Sequence, residues 1–329
     1  MSLTLWAITV VGILLLIALD FVMVSRKPHE VKFREAALWS VFYVGVAIAF
    51  GVALIVWQGS AVGTEYFAAY LVEKSLSVDN LFVFIIILAQ FAVPAALHQR
   101  VLLLGVVLAL ILRAIFIAIG AAAISAFAFT FVIFGAILIW TGIQLARHRN
   151  EDPDPMDNFI IRRVRSRVPF SDEYDGTRMF TRVDARRVAT PLLLVMISIG
   201  ATDLLFALDS IPATFGVTQD PYLVFTANAF ALLGLRALYF LLKGLLEKLI
   251  YLSTGLAVIL VFIGVKLVLT FFHEQFPGVP KISTEVSLGV IAIVLVVVVI
   301  ASWLKVRKEP AATAHAGRLT GGHENSAEG

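Results

Sequence analysis

Glu73, Asp79 and Asn80 lie in the segment EKSLSVDNLFVF (73–84), and Asp203, Asp209 and Ser210 lie in TDLLFALDSIPATF (202–215). Asn228 lies in FTANAFALLGLRALYFLL (225–242). All three segments are otherwise mostly apolar. Together they offer carboxylate, amide and hydroxyl oxygens, a hard donor set that suits Mn²⁺, Ca²⁺ or Mg²⁺ and suits Cu⁺ or Zn²⁺ poorly. The chain has no cysteine, so thiolate ligands, disulfides and thiol redox chemistry are absent. Its histidines, at 29, 98, 148, 273, 315 and 323, fall in loops, at helix ends or in the tail.

Helical spacing puts Glu73, Ser77 and Asn80 on one face (i, i+4, i+7), with Ser75 and Asp79 a second pair. Asp203 and Ser210 share a face in the same way. Pro212 lacks an N–H and crowds the Leu208 carbonyl, so the helix is expected to kink or open near Asp209, aiming that carboxylate and a freed carbonyl at one cavity. Each ionised acid at mid-membrane costs roughly 2.5–3.5 kcal/mol on insertion scales, which favours a function for Asp79 and Asp203. Two arginines at similar depth, Arg113 and Arg236, either pair statically with these acids or gate the site. Glu73 is open between ligand and headgroup contact, with Lys74 expected to snorkel outward. Asp20 reads as an interfacial acid.

These residues sit in a chain of 329 residues that is 60% hydrophobic and 15% charged, with a mean hydropathy of +0.94. Soluble domains hold about 25% charged residues. Apolar runs of bilayer length place spans near 5–24, 37–58, 67–90, 101–120, 122–145, 190–213, 222–243, 250–272 and 286–304. The first reads as a retained helix, having no basic segment before it and no small-residue cleavage site after it. Alternate loops are basic: 25–36, the turn at Arg100, the segment 146–189 with its ten arginines, the pair Lys243 and Lys248, and the tail from Lys305. The positive-inside rule then sets the N-terminus outside and the C-terminus in the cytoplasm. The expected fold is an all-α polytopic membrane protein of about nine helices. The membrane domain covers 1–304, and a disordered cytoplasmic tail covers 305–329. The pI of about 9.2 belongs to the basic loops rather than to a nucleic-acid partner. Within 146–189, NFIIRRVRSRVPF is either a short amphipathic helix on anionic lipid or a protein partner, or a solvated linker.

The chain also repeats itself. Asp79-Asn80-Leu81-Phe82 matches Asp203-Leu204-Leu205-Phe206. Arg113 follows Asp79 by 34 residues, and Arg236 follows Asp203 by 33. ILIWTGIQL (137–145) matches ILVFIGVKL (259–267), equating Gly142 with Gly264 and Gln144 with Lys266. A second register, Glu73-x5-Asp79-Asn80 on Asp203-x5-Asp209-Ser210, needs a gap, and the nearly gapless one is preferred. Three-helix units at about 67–145 and 190–272 thus recur with opposite starting sides. Inverted repeats of this kind are the architecture of secondary transporters.

The segments EKSLSVDNLFVF, DEYDG (172–176), TDLLFALDSIPATFGVTQDP (202–221) and FTANAFALLGLRALYFLL resemble the TerC/Alx family of bacterial integral membrane proteins, its Alx-like branch above all. The resemblance implies a nine-helix inner-membrane protein linked to tellurite resistance, Mn²⁺ export and metal homeostasis. By position it carries the family's intramembrane acids onto Glu73, Asp79, Asp203 and Asp209, and Asn80, Arg113, Asn228 and Arg236 also match. The expected function is proton-coupled export of a divalent cation, Mn²⁺ foremost, with no enzymatic activity and no resident cofactor. Asp79 and Asp203 would bind the ion, helped by Asn80, Asp209, Glu73, Ser210 and Asn228, with Arg113 and Arg236 as counter-ions. The rival is a non-transporting scaffold in a stress-resistance complex. A redox role has no support in a chain without cysteine or a cofactor motif.

Overall fold

The computed structural model describes residues 2–26, 33–148, 161, 163, 164, 166, 168–171, 173–183, 186–242, 249–276 and 278–309. The protein is almost wholly helical. In order come α1 (Leu3–Arg26), α2 (Phe33–Gln58), α3 (Ser60–Gln90), α4 (Ala95–Ala126) and α5 (Thr130–Arg147). After a short hairpin follow α6 (Pro191–Phe215), α7 (Pro221–Leu233), α8 (Leu235–Leu242), α9 (Leu252–Gln275) and α10 (Thr284–Lys308). Among the described residues, eight helical spans are long and apolar enough to cross a membrane, α7 and α8 counting as one. The chain is a multi-pass membrane protein.

Helix α3 is the exception and the centre of interest. Its 31 residues reach about 45 Å at 1.5 Å per residue. It carries Glu65, Glu73, Lys74 and Asp79, too polar a load to face lipid, and it packs against α2, α6, α7 and α10 instead. The span Pro221–Leu241 is the most enclosed, 83% buried, against 17% for Leu3–Val22. Helices α1 and α10 turn Ile8, Leu15, Ile293 and Val297 outward, as lipid-facing helices do. The polar residues of α3 and α7 are thus walled off by apolar ones.

Helices α5 and α9 form the closest helix pair. A Cβ on Gly135 would stand 2.7 Å from the Gly264 carbonyl oxygen, and one on Gly142 2.9 Å from that of Ala257. The match that equates Gly142 with Gly264 also equates Gly135 with Ala257, so these two contacts exchange when the repeats are exchanged. Later residues of α5 meet earlier residues of α9, so the pair is antiparallel.

Several boundaries differ from those read in the sequence. Helix α3 starts at Ser60, not near 67, because Ser60 to Glu65 continue the helical ladder despite their polarity. Helix α6 runs unbroken through Asp209 and Pro212. Pro212 costs the helix its bond to the Leu208 carbonyl, but it falls in the last turn, so no long helical segment follows that would have to bend away. The interruption comes one helix later, at Gly234 between α7 and α8. Lys74 donates to the Ala231 carbonyl beside that break, at 3.2 Å. Lys74 therefore does not snorkel outward.

The arginine-rich segment, expected to hold only turns and a linker or surface helix, contains a hairpin: β1 (Phe180–Val183) pairs antiparallel with β2 (Arg186–Ala189). Tyr174, in the DEYDG turn, donates to the Phe91 carbonyl at 2.8 Å and fastens this hairpin to the α3–α4 turn. Burial raises the Tyr174 pKa, which keeps the phenol a donor. Of NFIIRRVRSRVPF, residues 158–160, 162, 165 and 167 lie outside the described residues. So do 310–329, although α10 itself extends to Lys308, past the expected start of the tail.

Candidate functional site

Arg113 lies near the middle of α4, with 0% exposure. Its Nη1 donates to Glu73 Oε1 of α3. Its Nε and Nη2 donate to Asp203 Oδ1 of α6 at 3.3 and 3.2 Å. With its amide oriented by these neighbours, Asn80 accepts from Arg113 Nη2 at 2.7 Å and donates to the Leu76 carbonyl at 3.0 Å. One guanidinium thus joins three helices and holds two acids and an amide. Such charge-assisted bonds are roughly twice as strong as neutral ones.

A line of hydroxyls leads away from Glu73. Thr214 Oγ1 donates to the Ser210 carbonyl at 2.8 Å and faces Glu73 Oε2 at 3.4 Å. The Thr218 N–H donates to the Thr214 carbonyl at 3.1 Å, and Thr218 Oγ1 donates to Glu65 Oε2 at 2.6 Å. Ser210, Thr214 and Thr218 are spaced i, i+4, i+8. That stripe is visible in DSIPATFGVT, yet sequence reasoning does not single it out. Glu65 escapes it as well, because the expected start of α3 leaves that residue in a loop.

The cluster is under-satisfied. Asp203 Oδ2, Ser77 Oγ and Ser210 Oγ are buried with no hydrogen-bond partner among the described residues, and so, on α7, are both side-chain amide atoms of Asn228. Asp209 is buried too, and has neither an ion-pair nor a hydrogen-bond partner among the described residues. Buried polar atoms are paired in at least about 90% of cases, so a group of exceptions asks for a ligand or water. Charge points the same way. Among the described residues of the cluster, Arg113 is the one cation against Glu73, Asp203 and Asp209. Asp79 lies on α3, and its side chain is outside the described residues. Among the described residues, no three His, Asp or Glu side chains form a metal-sized group.

The remaining expected residues are placed as follows. Glu73 is completely buried against protein, and the earlier start of α3 puts it mid-helix. Arg236 does not reach the central acids. Its Nη2 donates to Asp20 Oδ1, and its Nε donates to Asp20 Oδ2 at 3.1 Å. Asp20 is accordingly a buried structural partner and not an interfacial acid. Nearer the other end of α1, Thr9 Oγ1 and Tyr222 Oη share a hydrogen bond of 2.7 Å. Helix α1 is therefore tied to the chain on both sides of the Gly234 break. The histidines His98, His148 and His273 stand at helix ends, so no imidazole among the described residues adds to the oxygen donors.

Known proteins resemble this chain along most of its length. The profile of the "Integral membrane protein TerC family" matches residues 58–310, from the last residue of α2 to beyond α10. An uncharacterized membrane protein of Mycobacterium tuberculosis (strain ATCC 25618 / H37Rv) is 48% identical over 291 residues, 86% of this chain and 73% of that one. Another from Myxococcus xanthus is 42% identical over 316 residues, 96% of this chain and 97% of its own. The Escherichia coli K12 protein Alx, described provisionally as a membrane-bound redox modulator, is 40% identical over 315 residues, 93% and 96% of the two chains. No solved structure matches.

Proposed function

The chain belongs to the integral membrane protein TerC family, and from that premise we propose that it is a secondary transporter exporting a divalent cation, Mn²⁺ first among them, in exchange for protons across the inner membrane. The observation that carries this reading is the set of buried oxygen atoms without partners among the described residues, on the helices that form the Glu73–Arg113–Asp203 ion triad and on α7. Leaving such atoms unpaired costs about 1–3 kcal/mol each. A hard cation, with a shell of about 6 to 8 oxygens, answers that deficit, and so do the waters that accompany it.

In this reading Arg113 holds the acids when no metal is bound. An arriving cation competes with the guanidinium for Glu73 and Asp203, and Asp79, Asp209, Asn80, Ser210 and Asn228 supply further oxygens. Protons then neutralise the acids as the cation leaves. The exchange of contacts at the α5–α9 seam supports the inverted repeat, and the break at Gly234 supplies the discontinuous helix that such transporters use at their sites. The description attached to Alx suggests a redox role instead. A chain with no cysteine cannot perform it by thiol–disulfide exchange.

The test is Mn²⁺ flux in liposomes containing only this protein, with and without a pH gradient. Flux that follows the gradient is expected. Flux no greater than in protein-free liposomes would favour a scaffold. In cells without their own exporter, the protein is expected to raise tolerance to Mn²⁺ with little gain against Cu⁺ or Zn²⁺. Equal protection against copper would contradict the all-oxygen site. Reporters after Gly329 and within 146–189 are expected in the cytoplasm, and reporters near Gly59 and Gln219 outside. Gly59 on the same side as 146–189 would sink the inverted repeat.

A further inference from the structure

The repeat equates Gln144 with Lys266, and nothing in the proposed mechanism uses that pair. Lys266, on α9, is 6% exposed. Its Nζ donates to Ser287 Oγ of α10 at 2.9 Å, and Ser287 Oγ donates to the Ser283 carbonyl at 2.9 Å. Among the described residues no carboxylate is within ion-pair distance of it. This is a buried ammonium whose hydrogen-bond partner is a neutral hydroxyl, an arrangement that costs more than a paired one.

Lys266 borders a cavity of about 310 Å³, together with Glu65, Thr218, Gln219, Asp220 and Lys281. The cavity lies where α3 begins and α6 and α9 end, remote from the arginine-rich segment. It meets the central acids through the hydroxyl line already described: Glu65 to Thr218 at 2.6 Å, Thr218 to Thr214 through the backbone at 3.1 Å, and Thr214 to Glu73 at 3.4 Å. The equivalent position at the other end of the molecule holds the neutral, half-buried Gln144 near the last turn of α5.

We infer that this cavity is the outer mouth of the cation path and that Lys266 weakens cation binding from that side. The inference rests on the transport reading above. A fixed positive charge beside the path destabilises a divalent cation in or near the mouth, so the outward-open site releases its ion readily and rebinds it poorly. Gln144 imposes no such penalty at the inner mouth. The proton gradient still supplies the driving force, and Lys266 sets the difference in affinity between the two faces. Between a buried ammonium and a divalent cation, the expected change in affinity is on the order of tenfold.

Two measurements test this. The first needs no transport. Because the chain has no native cysteine, Thr270→Cys places a single thiol on the cavity wall, one turn beyond Lys266. Membrane-impermeant methanethiosulfonates, one anionic and one cationic, are added from outside. Both are expected to reach the introduced thiol, and the anionic-to-cationic rate ratio is expected to fall about tenfold when Lys266→Gln or Lys266→Met is added. Lys266→Arg is expected to keep the ratio. Lys281→Gln is expected to change it less, because Lys281 is exposed and screened. Protection from outside reagents, or a ratio indifferent to Lys266, overturns the inference.

The second measurement is Mn²⁺ flux from each face of proteoliposomes. Lys266→Gln is expected to lower KM at the outer face about tenfold and leave the inner face unchanged, while Gln144→Lys is expected to raise KM at the inner face. Wild-type flux with an outer KM indifferent to Lys266 overturns this inference alone. A charge-sensitive thiol in the Thr270→Cys variant without any wild-type flux overturns the transport reading, and with it the role given to Lys266.

Discussion

Arg113 and Arg236 occupy matching places in the repeated sequence, but their surroundings differ. Arg236 meets one carboxylate, Asp20, with two donors on two oxygens, and the pair closes on itself. Arg113 divides its donors among Glu73, Asp203 and Asn80, and leaves Asp203 Oδ2 without a partner among the described residues. A closed bidentate pair is a fastening, here between α1 and α8. A shared cation with unpaired oxygens around it can be exchanged for another cation. Helix α1 lies outside the two matched stretches of sequence, so Arg236 takes its acid from elsewhere. That borrowing frees Asp203 for Arg113.

The comparison predicts opposite responses to the loss of one partner. The largest effect on stability is expected from Arg236→Gln or Asp20→Asn, about 3–5 kcal/mol, because each strands a buried charge. Thermal unfolding in detergent measures it. The double mutant should recover much of the loss, and a double mutant as unstable as either single one would break the distinction between the two arginines.

Glu73→Gln and Asp203→Asn are expected to reduce Mn²⁺ flux to background at a smaller cost in stability, about 1–3 kcal/mol, since Arg113 keeps its other acid. Asp79→Asn is expected to abolish flux while the protein still inserts, because removing a mid-membrane charge eases insertion. If Glu73→Gln or Asp203→Asn instead unfolds the protein and Arg113→Gln rescues it, the triad is structural, like the Asp20–Arg236 pair.

Thr214→Val keeps the side-chain shape and removes the hydroxyl beside Glu73. Flux is expected to drop several-fold, with about 0.5–1.5 kcal/mol lost in stability. Unchanged flux would detach the hydroxyl line from the site. The smallest effect is expected at the helix break. Lys74→Leu removes the donor to the Ala231 carbonyl, at a cost of about 1 kcal/mol in thermal unfolding and no change in metal selectivity.

The sequence shows the helical class and the buried acids because both depend on local composition. A carboxylate in an apolar run stands out wherever the helix ends. Partnership is harder to read. The sequence leaves Glu73 open between ligand and headgroup contact because Ser60 to Glu65 look like loop residues, and a shift of one or two turns moves a side chain by up to roughly a third of the membrane. Asp20 and Arg236 are separated by 216 residues, and no periodicity links them. Pro212 draws attention to the wrong helix. Proline forgoes one backbone bond and crowds the carbonyl four residues back, but after Pro212 only the end of the helix follows, whereas Gly234 allows close approach to Tyr43 and Lys74.

The seam between α5 and α9 constrains how the molecule moves. Backbone comes close to backbone at Gly135, Gly142 and Gly264, and the side chains of Val261, Val268 and Ile139 fill the same contacts. Sliding one helix along the other by a single residue would drive methylated neighbours into carbonyl oxygens. The seam is therefore expected to resist sliding of α5 along α9 more than tilting of one against the other.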